Sequence, residues 1–258
     1  TRWSRPQGER LKVLWTERRS STKPCPPQSA SSAMKPRITL AETQLADGNI
    51  LSLQEHDGRK SLLVHGQQIC GPATRAAEEE LARLACAPFR PARQPQIWFA
   101  GLGLGHTLAA VAKELPQKRA NFIVAEPLAA IPDWHRTHIP DSPLLTEPRV
   151  TLENDCGPQA LIKHAGLLHA ILVHLDASPT GPRNRTWVDE RRWVSAAFEA
   201  LQQGGLLAIA GSRHVANLTR RLQGSGFEVA EFTVPSSPNA KKPRFLPIWL
   251  ARKGKAAD

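Results

Sequence analysis

The stretch Gln96-Ile-Trp-Phe-Ala-Gly-Leu-Gly-Leu-Gly-His106 decides how this chain is read, together with the apolar run Asn121-Phe-Ile-Val-Ala125 and the acid that ends it, Glu126. The order is strand, glycine turn, helical segment, then a second parallel strand tipped by a carboxylate. That arrangement is how α/β proteins hold an adenosine. Gly101, Gly103 and Gly105 lack a Cβ, so they can take positive φ and let a ligand lie against the backbone. The first N–H groups of the following helix then face that ligand. Glu126 falls 21 residues after Gly105, close to the roughly 20-residue interval at which an acid on the second strand meets ribose hydroxyls. A turn that needs glycine for steric reasons alone is the competing reading. Glu126 favours binding, because open α/β sheets take ligands at the carboxyl edge of their strands.

Upstream, residues 38–45, 50–55 and 61–65 are three short runs separated by Asp47-Gly48-Asn49 and His56-Asp57-Gly58. Asp-Gly between alternating runs signals hairpins, so a small antiparallel sheet is expected. A helix rich in Ala, Glu, Leu and Arg follows from Pro72 to Ala87, with Ala76, Leu81 and Leu84 on one face, and Pro88, Pro91 and Pro95 mark a linker. Downstream, strands and helices keep alternating. A helix runs to Ile139 with an interruption at Pro132, a strand covers 149–153, a helix 158–165 and a strand 169–175 ending at Asp176. Thr186-Trp-Val-Asp189 resembles a capping box opening a helix through Leu201, which Gly204-Gly205 closes. A strand at 206–210 and a helix at 215–222 follow, and the chain ends on strands 227–234 and 248–252. A terminal β-hairpin is characteristic of the methyltransferase-type Rossmann fold, a doubly wound and mostly parallel sheet, here preceded by a small antiparallel β domain.

The expected organisation is a basic tail over residues 1–33, a β domain over 34–70, a helix and linker over 71–95, and a ligand-binding domain over 96–258. Residues 1–33 mix Arg, Ser and Pro with no periodicity, which reads as disorder. Met34 is the only methionine, so a natural start there and an organellar targeting peptide are both open readings of the tail. The tail carries seven Lys or Arg and two Glu, leaving +6 of the formal +11 to the rest. That remainder fits a solvated basic surface and only weakly suggests nucleic acid or another anionic partner. No apolar run approaches the roughly 20 residues of a membrane span. The four cysteines show no CxxC spacing and the nine histidines no HExxH, so reduced thiols, no metal and a cytoplasmic setting are expected.

From about Arg37 to Lys253 the sequence resembles the spermidine synthase family of aminopropyltransferases. Gly101-Leu-Gly-Leu-Gly-His106 stands where members have GGGDGG, Glu126 where they have the second-strand acid, and Asp155-Cys156 where they have an aspartate and a small residue. Asp176-Ala-Ser-Pro-Thr-Gly-Pro182 echoes their D-S/T-x-D-P-x-G-P run, and Leu63-Val-His-Gly-Gln-Gln68 echoes L-D-G-x-x-Q. Phe99, two positions before the first glycine, is apolar as in that family, where ordinary methyltransferases carry an acid.

The resemblance implies decarboxylated S-adenosylmethionine or S-adenosylmethionine as co-substrate, a small amine as acceptor, and a homodimer. It implies ribose contact at Glu126, adenine contact at Asp155 and Cys156, and substrate contact at Gln68 and Ser178. An alkyl amine with a pKa of roughly 10.4 must lose a proton to attack. Asp176 is the expected proton acceptor, a turn-capping Asp being the alternative; for Asp155 the alternative is an N-cap. Departures are plain: Leu104 replaces an Asp, the second Asp of the fourth-strand run is missing, and the chain has no tyrosine. These put a diamine substrate in doubt and keep methyl transfer, or a nucleoside-binding protein without catalysis, in view. Glu78, Glu79 and Glu80 read as a solvated helical face rather than as substitutes for a lost acid. Arg183, Arg185, Arg191 and Arg192 read as exposed beside buried Trp187 and Trp193. His106 stands next to the ligand site, and His174 reads as a hydrogen-bonded core histidine.

Overall fold

Alternating side chains and tight turns build the first sheet. In this computed structural model, which describes residues 36–177, 186–236 and 244–254, β1 (Ile38–Gln44), β2 (Ile50–His56), β3 (Arg59–Val64) and β4 (Gln67–Cys70) pair antiparallel in chain order. Asp57 and Gly58 both take positive φ, 51° and 72°, and so do His65 and Gly66, 50° and 72°. Two such residues in a two-residue loop match the right-handed twist of the flanking strands. The sequence suggested only three strands. β4 escaped because its turn is His65-Gly66, which is not one of the Asn-Gly or Asp-Gly pairs that signal a two-residue hairpin.

The second sheet contains β5 (Gln96–Ala100), β6 (Asn121–Ala125), β7 (Val150–Glu153), β8 (Leu168–His174), β9 (Leu201–Ala210), β10 (Phe227–Pro235) and β11 (Phe245–Lys253), in the order β10-β11-β9-β8-β5-β6-β7. β11 pairs antiparallel with both β10 and β9, and the remaining pairs of the sheet are parallel. Around the sheet lie α1 (Arg75–Cys86), α2 (His106–Glu114), α3 (Ala130–His138), α4 (Pro143–Thr146), α5 (Pro158–Ile162), α6 (Arg191–Ala200) and α7 (Leu218–Gly224). This is the methyltransferase-type Rossmann fold read from the sequence, with its terminal hairpin and the preceding antiparallel sheet. Chain order reverses between β5 and β8, so the crevice for a ligand opens at their carboxyl ends.

β5 does not alternate because both its faces are covered: Ile97 and Trp98 are fully buried and Phe99 is 3 % exposed. Ile97 and Phe99 share one core with Leu81 and Ala85 of α1 and with Leu51, Leu53 and Leu62 of the first sheet. Trp98 faces the other core, with Ile171, Trp193 and Trp249; its ring centroid lies 6.3 Å from that of Trp193. Each large apolar side chain so buried contributes roughly 1.5–3 kcal/mol, which fixes the sheet on which the site is built. Among the described residues no helix is long and apolar enough to cross a membrane.

Three local readings are corrected. α3 begins only at Ala130, so Pro132 sits in its first turn, where its missing N–H breaks no helical bond. Residues 187–189 form a separate 3-10 turn, with the Thr186 hydroxyl 2.7 Å from Asp189 Oδ2, and α6 starts afterwards at Arg191. β9 begins at Leu201, before the glycines. Pairing jumps from Leu168–Leu201 to Ala170–Leu206, so residues 202–205 bulge out, with Gly204 at φ 74°.

Candidate active site

Loop 101–105 is pinned by its alternation of residues. Leu102 and Leu104 are buried among core residues, while Gly101, Gly103 and Gly105 turn the backbone at φ 94°, 55° and 77°. A Cβ on Gly105 would lie 2.9 Å from Pro143 Cγ, so this position combines a left-handed backbone with no room for a side chain. α2 starts directly after it, its first bond running from Ala109 N–H to Gly105 O.

Glu126 lies against this turn. Its Oε2 accepts the Leu102 N–H at 3.0 Å and its Oε1 the Leu128 N–H at 3.0 Å, and the residue is 4 % exposed. Burial pushes its carboxyl up to about 7, against the downward pull of these two bonds. Two hollows meet at this carboxylate. One, of about 420 Å³, is bounded by Gly103, Leu128, Asp176 and Ala177 on one side and by Asp47, Leu51 and Val64 of the first sheet on the other. The second, of about 550 Å³, is bounded by Pro127, Leu152, Asn154 and Asp155. Each has the size of a small-molecule site.

A buried imidazole holds the loop from behind. His135, 1 % exposed, places Nε2 2.9 Å from Gly103 O, and its Nδ1 bonds the Ser142 hydroxyl. A carbonyl can only accept, so Nε2 carries the proton and Nδ1 accepts from Ser142. Ser142 Oγ in turn accepts the Leu144 N–H at 3.1 Å. Burial lowers the His135 pKa and favours this neutral form.

The other residues named from sequence are distributed as follows. Asp155 is exposed, opens onto the second hollow, and its Oδ1 accepts the Gly157 N–H at 2.8 Å. That bond serves the backbone just before α5, while Gly157 itself is the N-cap. Cys156 is buried, its carbonyl accepts the Trp193 indole N–H at 2.9 Å, and burial together with the nearby Glu126 charge pushes its thiol up to about 12. Asp176 follows β8 and opens onto the first hollow; Ser212 donates to it twice, from N–H to Oδ2 and from its hydroxyl to Oδ1, both at 2.7 Å. Gln68 lies elsewhere. It is exposed, it accepts from the Ser61 hydroxyl at 3.3 Å, and it borders a third hollow with Arg37 and Arg59. Ser178, Arg183 and Arg185 lie outside the described residues. Arg191 and Arg192 are exposed and Trp193 is buried.

Glu78 overturns the expectation of a solvated face. It is 3 % exposed, with the Thr74 hydroxyl 2.8 Å from Oε1 and the Thr107 hydroxyl 3.0 Å from Oε2. Glu79 and Glu80 do stay outward, paired with Arg75 and Arg83. One helical register thus turned a single acid of the three inward. His174 is buried, but its Nδ1 has no partner among the described residues, unlike the bonded core histidine expected. Sequence reading also missed Asp47, taken only as a turn residue, and His135 with Ser142, which carry no motif.

No protein-family model matches the chain, and no curated protein sequence matches it. Solved structures do. Spermidine synthase from Thermotoga maritima superposes with a TM-score of 0.65 at 16 % identity, covering 84 % of this chain and 73 % of that one. A spermidine synthase in complex with the transition state analogue AdoDATO gives 0.63 at 15 % identity, over 84 % and 72 %. Precorrin-6y C5,15-methyltransferase from Geobacter metallireducens gives 0.50 at 14 % identity, over 70 % and 87 %. The chain has a divergent spermidine synthase-like fold.

Proposed function

We propose that the protein is a transferase that binds decarboxylated S-adenosylmethionine or S-adenosylmethionine and moves an aminopropyl group to a small amine. The observation that carries this reading is Glu126, tied to the glycine loop through Leu102 N–H and opening onto both hollows. Ribose hydroxyls on this carboxylate put the adenine into the hollow beside Asp155 and Cys156, and the sulfonium into the one beside Gly103 and Asp176. The structural relative that binds AdoDATO is consistent with such a ligand. We take residues 96–258 as the ligand-binding part, with 34–70 and the helix and linker over 71–95 closing the acceptor side.

In the reaction the amine nitrogen attacks the carbon next to sulfur. The N–C bond forms as the S–C bond breaks, the sulfonium becomes a neutral thioether, and the amine's proton passes to Asp176. Alignment of nucleophile and carbon supplies much of the rate. Ser212 holds both Asp176 oxygens, leaving each a further lone pair for the proton. Asp47, whose carboxylate already accepts from Asn49 N–H and Nδ2, adds negative charge on the same hollow, which suits a cationic amine.

Methyl transfer is the second reading, favoured by the apolar wall of Leu51, Leu62, Val64 and Ile69 facing Asp176. Thermal shift with decarboxylated S-adenosylmethionine, methylthioadenosine, S-adenosylmethionine and S-adenosylhomocysteine separates the two. Aminopropyl transfer predicts larger stabilisation by the first pair, methyl transfer by the second. No stabilisation by any of the four removes both.

A further inference from the structure

Behind the glycine loop lies a polar cluster that the proposed transfer does not use. Cys70 ends β4, Glu78 lies in α1 and His106 opens α2. Cys70 Sγ is 3.7 Å and His106 Nδ1 is 3.8 Å from the same oxygen, Glu78 Oε1, and one ligand atom from each residue lies within 4.8 Å of the others. Tetrahedral zinc with Zn–S of about 2.3 Å and Zn–N or Zn–O of about 2.0–2.1 Å separates its ligands by roughly 3.3–3.5 Å. Closing the cluster onto an ion therefore draws the Cys70 and His106 atoms in toward Glu78 by a few tenths of an ångström and toward each other by up to about 1.3 Å, a shift that side-chain rotation supplies.

Two orphaned nitrogens point the same way. His106 Nδ1 and His174 Nδ1 are buried with no hydrogen-bond partner among the described residues, and His174 as a whole is only 9 % exposed. A void of about 20 Å³ lies between Cys70, Glu78, Thr107 and His174, large enough for one water. An ion held by His106 Nδ1, with that water as fourth ligand bonded to His174 Nδ1, satisfies both. The supporting shell is in place as well: the Thr74 and Thr107 hydroxyls hold the two oxygens of Glu78, as metal-bound carboxylates are held.

We propose that Cys70, Glu78 and His106 form a zinc site of three protein ligands and one water that staples β4 and α1 to the first turn of α2. A thiolate, an imidazole and a carboxylate suit zinc over magnesium or calcium. Thiolate and carboxylate together neutralise its charge, so the occupied site carries no net charge, and the Cys70 proton leaves to solvent on binding. The site adjoins the glycine loop, since its void is also lined by Gly101, Gly103 and Ala177, but none of its three ligands has a role in the proposed transfer. On the outer side of His106 lies a hollow bordered by Leu104, Arg59, Lys60, Arg75 and Asp141. Lys60 and Arg75 are paired there with Glu55 and Glu79.

The test is titration of the chelator-treated full chain with Co(II) and Zn(II), read by absorption and by metal analysis after desalting. One equivalent of cobalt with a near-ultraviolet thiolate charge-transfer band and intense tetrahedral visible bands is expected. Cys70→Ser abolishes the charge-transfer band, and His106→Ala, a partly exposed position that leaves the core intact, weakens metal binding by at least tenfold. Thr74→Val weakens it by about 10- to 100-fold without touching a ligand. Circular dichroism checks folding of each variant. No cobalt band in the wild-type chain overturns the proposal, as does a band that survives in Cys70→Ser or unchanged affinity in a folded His106→Ala protein.

Discussion

Binding of an adenosyl ligand is expected to release a proton from Glu126, and the size of the effect follows from the carboxyl's environment. Burial holds that group at about 7, although Leu102 and Leu128 N–H groups both point at it. Ribose hydroxyls donate to a carboxylate, so the ligand selects the ionised form. With a pKa of about 7 the group is ionised in roughly one tenth of molecules at pH 6 and nine tenths at pH 8. The affinity then rises by about tenfold over that interval, or about 1.4 kcal/mol. Methylthioadenosine is the suitable probe, since it has no group of its own titrating near neutral pH. Calorimetry in buffers of different ionisation heat should find about 0.9 proton released per ligand at pH 6 and about 0.1 at pH 8. The free protein is affected in the opposite sense. A carboxyl raised from its ordinary 4.5 to about 7 in the fold contributes stability below pH 4.5 that is lost as pH rises through 7, about 3 kcal/mol in all. Unfolding midpoints of the free chain should fall over this range more than those of the complex. Glu126→Gln should flatten the binding curve and weaken the complex at pH 8. Affinity that is constant within twofold from pH 6 to pH 8, with no proton exchanged, would mean that the ligand does not engage the Glu126 carboxylate.

Gly105→Ala should destabilise the fold by about 2–3 kcal/mol in urea titration, because it adds a clash with Pro143 to a left-handed backbone; Gly166→Ala, at a similar φ of 70° with open space around it, should cost only about 1 kcal/mol. Equal losses would mean that loop 101–105 is not clamped from the α3–α4 side. His135→Ala leaves Gly103 O without its donor, and it should cost about 1–3 kcal/mol of stability and weaken methylthioadenosine binding. Ser142→Ala removes the hydroxyl that donates to His135 Nδ1 and caps α4 through Leu144 N–H but leaves the bond to Gly103 O, and should have the smaller effect on the ligand, a ranking calorimetry can check. Asp176→Asn should lower turnover with an amine acceptor by about 10²–10⁴-fold while ligand affinity stays within a few-fold; unchanged turnover would remove Asp176 from the chemistry.

The legible part of the fold lay where period and special residues coincide. Ile97-Trp-Phe99 and Phe122-Ile-Val124 announced strands buried on both faces, the positive-φ glycines announced the turn, and the Glu126 interval placed an acid at its side. What escaped was decided by packing between distant segments. Nothing in Ala77-Glu-Glu-Glu80 says which glutamate turns inward, because that depends on Thr107 arriving from a helix 29 residues away. His135 and Ser142 are likewise ordinary residues until α3 and α4 fold back behind the loop. Gln68 stands one strand position from Ile69, and that single step sends it to the outer hollow while Ile69 lines the inner one. A pleat alternates side chains, so a motif match that slips by one residue reverses the face.

The most direct test is a crystal structure of the chain grown with methylthioadenosine. Ribose oxygens are expected within about 3.2 Å of the Glu126 carboxylate, the adenine beside Asp155 and Cys156, and the thioether sulfur between Gly103 and Asp176. A nucleoside bound away from Glu126, with both hollows left without it, would mean that this carboxylate and the glycine loop do not form the ligand site.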